Sequence, residues 1–205
     1  MLKTRIAVLV SGGGTNLQAL IDAAKAGKIP DGEIVLVLSD KPDVYALTRA
    51  KSVGIATAVV EKNKSVTQEA FENGIIKILT EQNIDMIVLA GFLRILTADF
   101  TSRYKNRILN IHPSLIPAFC GEGYYGLRVH RAVLDRGVKL TGATVHYVNE
   151  IPDGGEILLQ KAVKVQKGDT PEALQRRVME QAEWKLLPRA VALVSKRIAK
   201  EKKHV

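Results

Sequence analysis

Three short segments of this 205-residue chain carry residue types whose spacing could do chemistry. Asn110-Ile111-His112-Pro113-Ser114 closes an apolar run. On a strand, residues two apart share a face, so Asn110 and His112 point the same way while Ile111 packs behind them. An amide donor beside an imidazole can stabilise an oxyanion and exchange a proton. An asparagine and a histidine bonded for structure alone would be spelled identically. Pro152-Asp153-Gly154-Gly155 has turn chemistry that does not require an acid. The alternating segment before it puts Thr144 and His146 on one face, and it could present Asp153 to the same site. A carboxylate beside His112 would favour the imidazolium and could accept a proton from an attacking amine, directly or through water. Ser11-Gly12-Gly13-Gly14-Thr15-Asn16 lies where an apolar run passes into helical spacing, the setting in which backbone amides and a helix dipole meet an anion. It lacks the Gly-Lys-Ser/Thr of a P-loop, and Leu17 takes the place of the third glycine of a dinucleotide fingerprint. A sugar phosphate or mononucleotide therefore suits it better than a dinucleotide. The plain alternative is a tight strand-to-helix turn capped by Thr15 or Asn16.

These segments need elements to hold them. Arg5 to Val10 and Glu33 to Leu38 are continuous apolar runs rich in β-branched residues, as strands buried on both faces require, and two more follow at Ala56 to Val60 and Met86 to Ala90. Helical spacing separates them over Asn16 to Ala26, Val44 to Val53 and Gln68 to Gln82. Alternation of this kind predicts βαβ units and a parallel sheet. Beyond residue 105 the pattern changes. Ile108 to Ile111 reads as a short strand stopped by Pro113, and a Gly/Tyr-rich loop runs from Pro117 to Leu127. Thr141 to Val148 and Glu156 to Val165 read as an antiparallel pair at the far edge, joined by Asn149 to Gly155. Thr170 with Pro171 and Glu172 starts a final helix running to about Lys200. The expected fold is α/β: one Rossmann-like domain with a mixed, mostly parallel sheet and helices on both faces.

A composition of 46% hydrophobic and 25% charged residues excludes intrinsic disorder and fibrous repeats. The single cysteine, Cys120, cannot form an internal disulfide, and no Cys/His cluster has metal-ligand spacing, so a reducing cytoplasm and a metal-free site are expected. Ile6 to Val10 is too short for a signal-peptide core, and no stretch approaches a membrane span. The formal charge is +9, of which +4 lies in the last ten residues. Basic residues there complement the dipole of a carboxy-terminal helix, and small anionic ligands account for the rest without nucleic acid.

Ser11 to Asn16, Val88 to Leu96, Leu109 to Pro117, Thr141 to His146 and Asp153 to Gly155 occur in order across nearly the whole chain. Together they resemble the phosphoribosylglycinamide formyltransferase family of purine synthesis. The resemblance implies the formyltransferase fold and transfer of a formyl group from 10-formyltetrahydrofolate to the amine of glycinamide ribonucleotide. It places Asn110, His112 and Asp153 on catalytic positions and Gly13, Gly14, Thr15 and Asn16 on the substrate-phosphate loop. Glu183 falls where the family meets the substrate ribose, although Trp184 stands where a histidine is frequent. The folate pocket maps onto Leu93, Arg94, Ile95 and Leu96 together with Asn110, Asn149, Glu150 and Asp153. Gln68 replaces an arginine used toward the folate tail in some members. The loop Phe119 to Val129 is longer than in compact members. Its glycines and tyrosines suit a segment that closes over ligand, or a packed surface loop, and Cys120 within it reads as a bystander thiol. The expected organisation is a single formyltransferase domain over 1–205, with phosphate binding in about 1–105 and folate binding and catalysis in about 106–205. Expected partners are the two anionic small molecules, with no nucleic acid and no membrane, for a chain acting as monomer or homodimer. The competing readings are another N-formyltransferase, a formyltetrahydrofolate hydrolase, or, from a different class, a basic nucleic-acid-binding module.

Overall fold

The first apolar run becomes a strand, β1 (Thr4–Val10), whose side chains supply both layers of the core. Ile6, Val8 and Val10 join one hydrophobic cluster, and Ala7 and Leu9 join the other. That two-sided burial explains why the run shows no polar alternation. The computed structural model describes residues 3–203. In it, β2 (Gly32–Ser39), β3 (Ala56–Val59), β4 (Met86–Leu89), β5 (Ile108–His112), β6 (Leu140–Tyr147) and β7 (Ile157–Lys164) complete a seven-stranded sheet in the order β3-β2-β1-β4-β5-β6-β7. The strands from β3 to β5 pair in parallel, and β6 and β7 add antiparallel at one edge. The mixed α/β sheet and its antiparallel edge pair are as expected. β3 differs from the expected doubly buried strand: it lies at an edge, and its residues are half-buried or exposed.

Helices α1 (Thr15–Lys25) and α2 (Tyr45–Lys51) cover one face, where α5 (Leu127–Arg136), α6 (Pro171–Val178) and α7 (Trp184–Glu201) also pack. On the other face, α3 (Gln68–Glu81) and α4 (Ala98–Arg103) bury Phe71, Ile75, Leu79 and Phe100. The final helix is not continuous as expected. A π-turn over Met179–Glu183 separates α6 from α7, and Pro188 inside α7 cannot donate to the Trp184 carbonyl four residues back. Two helices, α4 and α5, were not expected from the pattern.

The chain leaves β1 toward β2 on one side of the sheet, while β4 lies on β1's other side. This is a topological switch point, and in open α/β sheets the crevice beyond the carboxyl ends of such strands takes the ligand. The glycine loop follows β1 directly, and the Ser11 N–H donates to the Gly91 carbonyl beyond β4 at 3.0 Å. The loop after β1 is thereby held against the loop after β4.

Candidate active site

Asn110 and His112, near the end of β5, both face a cavity of about 610 Å³ beyond the carboxyl edge of the sheet. Ile111 turns away into the core, as the strand period requires. Asp153 reaches the same place from the β6–β7 turn. Its φ of 55° is left-handed, a conformation aspartate tolerates better than most residues. The glycine at 155 has a separate cause, because a Cβ there would lie 1.8 Å from the Tyr147 carbonyl oxygen of β6. The turn can therefore close only on glycine, and closing it aims Asp153 inward.

The Asp153 carboxylate is the centre of the cluster. Oδ1 lies 3.3 Å from Asn110 Nδ2 and 3.4 Å from His146 Nε2. Oδ2 lies 3.3 Å from His112 Nδ1 and accepts the Gly121 N–H at 2.9 Å. Burial pushes this carboxyl up, but His146, His112 and the Gly121 amide together hold it below its ordinary value. His112 shows the opposite balance. Burial lowers its pKa more than Asp153 and the Phe119 carbonyl raise it, so the net direction is down. The resting ring carries its proton on Nε2, because the Phe119 carbonyl at 2.8 Å can only accept. Nδ1 then presents a lone pair toward Asp153, an arrangement that strengthens the ring's demand for a second proton when negative charge develops nearby.

His146 and His130 complete the polar floor. Sequence reasoning placed His146 on the correct face without assigning it a role. Its Nδ1 donates to the Tyr147 carbonyl at 2.8 Å, and its Nε2 accepts from Asn110 Nδ2 at 3.1 Å, since an amide NH2 can only donate. Both amide protons of Asn110 are thus engaged, and the weaker bond, to Asp153, is the one an incoming anion can displace. His130, on α5, is fully buried at the cavity wall, and burial with His112 nearby lowers its pKa to about 4. It is a neutral polar neighbour at physiological pH. Its signal in the sequence was weak, since it sits in a helix that the pattern did not announce.

The glycine loop forms the other end of the site. The N-cap of α1 is Gly14 at φ 73°, and neither Thr15 nor Asn16 makes a side-chain capping bond. The alternative of a turn capped by Thr15 or Asn16 side chains is therefore not what the chain adopts. A Cβ at Gly14 would meet Ala46 Cβ at 2.7 Å, so α2 packs directly on the loop. The Ala46 N–H and the Arg49 Nε–H draw the Gly12 and Gly13 carbonyls toward α2, at 3.2 and 2.9 Å. No acceptor among the described residues takes the amide protons of Gly13, Gly14, Thr15 and Asn16. Carbonyls turned one way and unpaired amides at a helix start make an anion nest. Thr15 and Asn16 line the main cavity, whereas Gly13 and Gly14 are not among its lining residues. Arg49 carried no signal in the sequence beyond being one of many cations.

Glu183 is the link between the loop and the carboxy-terminal helices. The π-turn buries it at the cavity wall, where Asn16 Nδ2 donates to its Oε2 at 2.6 Å. Burial raises its pKa to about 7, against the pull of Asn16. The neighbouring Trp184 has an indole N–H with no acceptor among the described residues.

Leu93, Arg94, Ile95, Leu96, Asn149 and Glu150 all reach the same cavity. Leu93 and Ile95 expose more than half of their surface there, while Leu96 is buried in the core. The Arg94 side chain is held by Asp40 at 2.6 Å. Asn149 Oδ1 accepts the Ile151 N–H at 3.0 Å and shapes the turn that carries Asp153. Gln68 donates to Glu72 and to the Ile95 carbonyl, so it braces the wall. Among the described residues, no group of three or more His, Cys, Asp or Glu is placed to hold a metal ion, and no helix is long and apolar enough to cross a membrane. Burial and the nearby Asp153 raise the Cys120 pKa, the reverse of what a nucleophilic thiol needs.

This sheet topology is that of a one-carbon transferase, and the chain belongs to the formyl transferase family, whose model matches residues 4–191. Within that family, relatives that this chain covers over most of their length include phosphoribosylglycinamide formyltransferases, the group the motifs resemble. The enzyme of that name from Haemophilus influenzae is 42% identical over 90% of this chain and 84% of its own length. The solved structure of the Brucella melitensis enzyme of that name is 44% identical, with a TM-score of 0.85 over 94% of this chain and 96% of its own. The trifunctional purine biosynthetic protein adenosine-3 of Bos taurus is 45% identical over 94% of this chain, which spans only 18% of that protein's length.

Proposed function

We propose that this chain transfers the formyl group of 10-formyltetrahydrofolate to the primary amine of glycinamide ribonucleotide in de novo purine biosynthesis, as one catalytic domain that uses no metal. The observation that carries this reading is the convergence of Asn110, His112 and Asp153, with contacts of 3.3 Å to Asp153, in one cavity that ends at the unpaired amides of the glycine loop. The distance between cluster and loop separates a reacting amine from its anchoring phosphate. Glycine-loop amides hold the phosphate, and Glu183, fixed by Asn16, faces the ribose hydroxyls. The exposed apolar side chains Leu93, Ile95 and Ile151 suit the flat ring system of the folate. The sequence reading put phosphate binding before residue 105 and folate binding after it. Residues from both stretches, Leu93 to Leu96 and Glu183 among them, line one cavity.

As the amine nitrogen bonds to the formyl carbon, the carbonyl electron pair moves onto oxygen. Asn110 Nδ2 turns from Asp153 to that oxyanion, and His112 becomes imidazolium by taking up at Nδ1, relayed by Asp153, the one proton that the amine loses. Asp153 accepts the proton lost by the amine, directly or through water. That proton then passes to the folate nitrogen as its bond to carbon breaks, giving the formylated ribonucleotide and tetrahydrofolate. Binding energy from the distant phosphate positions the attack. The site of action is the cytoplasm.

A spectrophotometric assay of folate product formation, with and without glycinamide ribonucleotide, tests the proposal. Turnover is expected only with the amine. His112→Ala and Asn110→Ala are each expected to lower kcat by roughly 100-fold or more. Turnover with water alone, or full turnover in either variant, refutes it.

A further inference from the structure

A second cavity, of about 900 Å³, opens on the other side of the glycine loop, between α1 and α7. Its floor is formed by small side chains one helical turn apart, Ala19 and Ala23 from α1 with Ala192 from α7. Small side chains add little bulk to that floor, so the groove between the flanking long side chains stays open. Four cations line it, Lys28, Arg49, Lys185 and Arg189, against one acid, Asp22, whose carboxylate already accepts the Gln18 amide at 2.9 Å. Thr15 lines both this groove and the main cavity. Arg49 stands at the junction: it donates to the Gly13 carbonyl and to Gln18 Oε1, and its remaining N–H groups have no acceptor among the described residues.

We propose that this basic groove is the capture track for the phosphorylated substrate, in which Lys28, Lys185 and Arg189 draw in the phosphate and Arg49 passes it to the glycine loop. The inference rests on the reading that the loop takes the substrate phosphate, and it adds where that anion comes from and what concentrates it. Lys185 and Arg189 lie one turn apart on an exposed stretch of α7 and make no ion pair among the described residues. Cations without acid partners along the walls of a concave groove raise the local concentration of an anion there. Thr15, shared with the main cavity, and Arg49, bonded to the Gly13 carbonyl, put the glycine loop at the groove's inner edge. The apolar floor offers no competing hydrogen bonds, so a phosphate is retained only where Arg49 and the free amides meet it.

The test is binding of ribose 5-phosphate to the full chain, measured by calorimetry at low salt and at several-fold higher ionic strength. The Lys185→Gln/Arg189→Gln double variant is expected to bind about tenfold more weakly at low salt, with the gap closing as salt screens the groove. A matched double variant, Lys77→Gln/Lys105→Gln, removes the same charge from exposed positions on α3 and beyond α4, and it is expected to bind like the wild type. Equal binding by wild type and the groove variant overturns the inference, as does an equal loss in the two double variants, which would reduce it to net charge. Absence of ribose 5-phosphate binding by the wild type overturns it together with the phosphate-loop assignment. Failure of formyl transfer to glycinamide ribonucleotide in a wild type that does bind ribose 5-phosphate counts against the proposed acceptor and leaves the groove comparison decisive on its own.

Discussion

Glu183→Gln separates the electrostatics of the π-turn from its shape. Burial moves the Glu183 carboxyl from its ordinary 4.5 to about 7, with the Asn16 amide pulling the other way. Between those two values the folded protein holds a proton that the unfolded chain has released, so Glu183 lowers stability progressively as pH rises through the window, and its cost levels off above the upper value. A displacement of that size corresponds to about 3 kcal/mol over the whole window. Glutamine keeps the volume and can still accept from Asn16 Nδ2, but it has no proton to lose. Urea unfolding of both proteins, at several pH values spanning the window, gives the comparison directly. His112 and His130, whose pKa values burial lowers, impose the opposite slope, since a buried neutral imidazole must charge as the medium acidifies. They are present in both proteins and cancel in the difference. The wild type is expected to lose about 3 kcal/mol relative to the glutamine variant on going from below the window to above it. Parallel stability curves would refute the reasoning and mean that the carboxylate is solvated in the folded state.

Asp153→Asn removes the charge 3.3 Å from His112 Nδ1, so His112 is expected to titrate still further below its ordinary value, with kcat falling by about 100-fold or more. NMR titration of the imidazole checks the first part, and an unmoved His112 would show that Asp153 does not act through it. Gly14→Ala forces a side chain into a left-handed position and against Ala46 Cβ at 2.7 Å, and it is expected to cost about 1–3 kcal/mol in thermal unfolding while raising KM for the phosphorylated substrate. An unchanged KM would detach the loop from phosphate binding.

Most of the sheet was legible because its strands are buried on both faces. Runs such as Arg5 to Val10 leave no polar position to misread, and the glycines after α1 and α2 punctuate them. β3 was misjudged because Ala56 to Val60 has the same composition as a central strand, and only its place in the order, after the chain has passed β2, makes it an edge. α5 was hidden by its entry, since Gly126 at its start supplies no capping side chain and the preceding residues are Gly and Tyr. The π-turn is invisible locally, because Met179, Glu180, Gln181, Ala182 and Glu183 are all compatible with an ordinary helix. Its hydrogen bonds span one residue more than those of an α-helix. In the site, spacing along β5 was enough to pair Asn110 with His112, and turn chemistry marked Asp153. The bonds that join them through His146 cross between strands, and no spacing rule along the chain encodes them. Arg49 was missed for a similar reason, since its role comes from α2 packing on a loop more than thirty residues away in sequence.

The chain has a single tryptophan, and α7 begins with it. Trp184 stands on the wall of the basic groove, and Glu183, the residue before it, lines the main cavity, so the indole sits one residue away from the second compartment. The molecule therefore comes with its own optical gauge: emission excited at the red edge of protein absorbance originates from one address, without a dye or an engineered probe. Arrival of an anion on one side and settling of a sugar on the other should colour that emission differently, and a rapid-mixing fluorimeter could time the two events in the unlabelled protein.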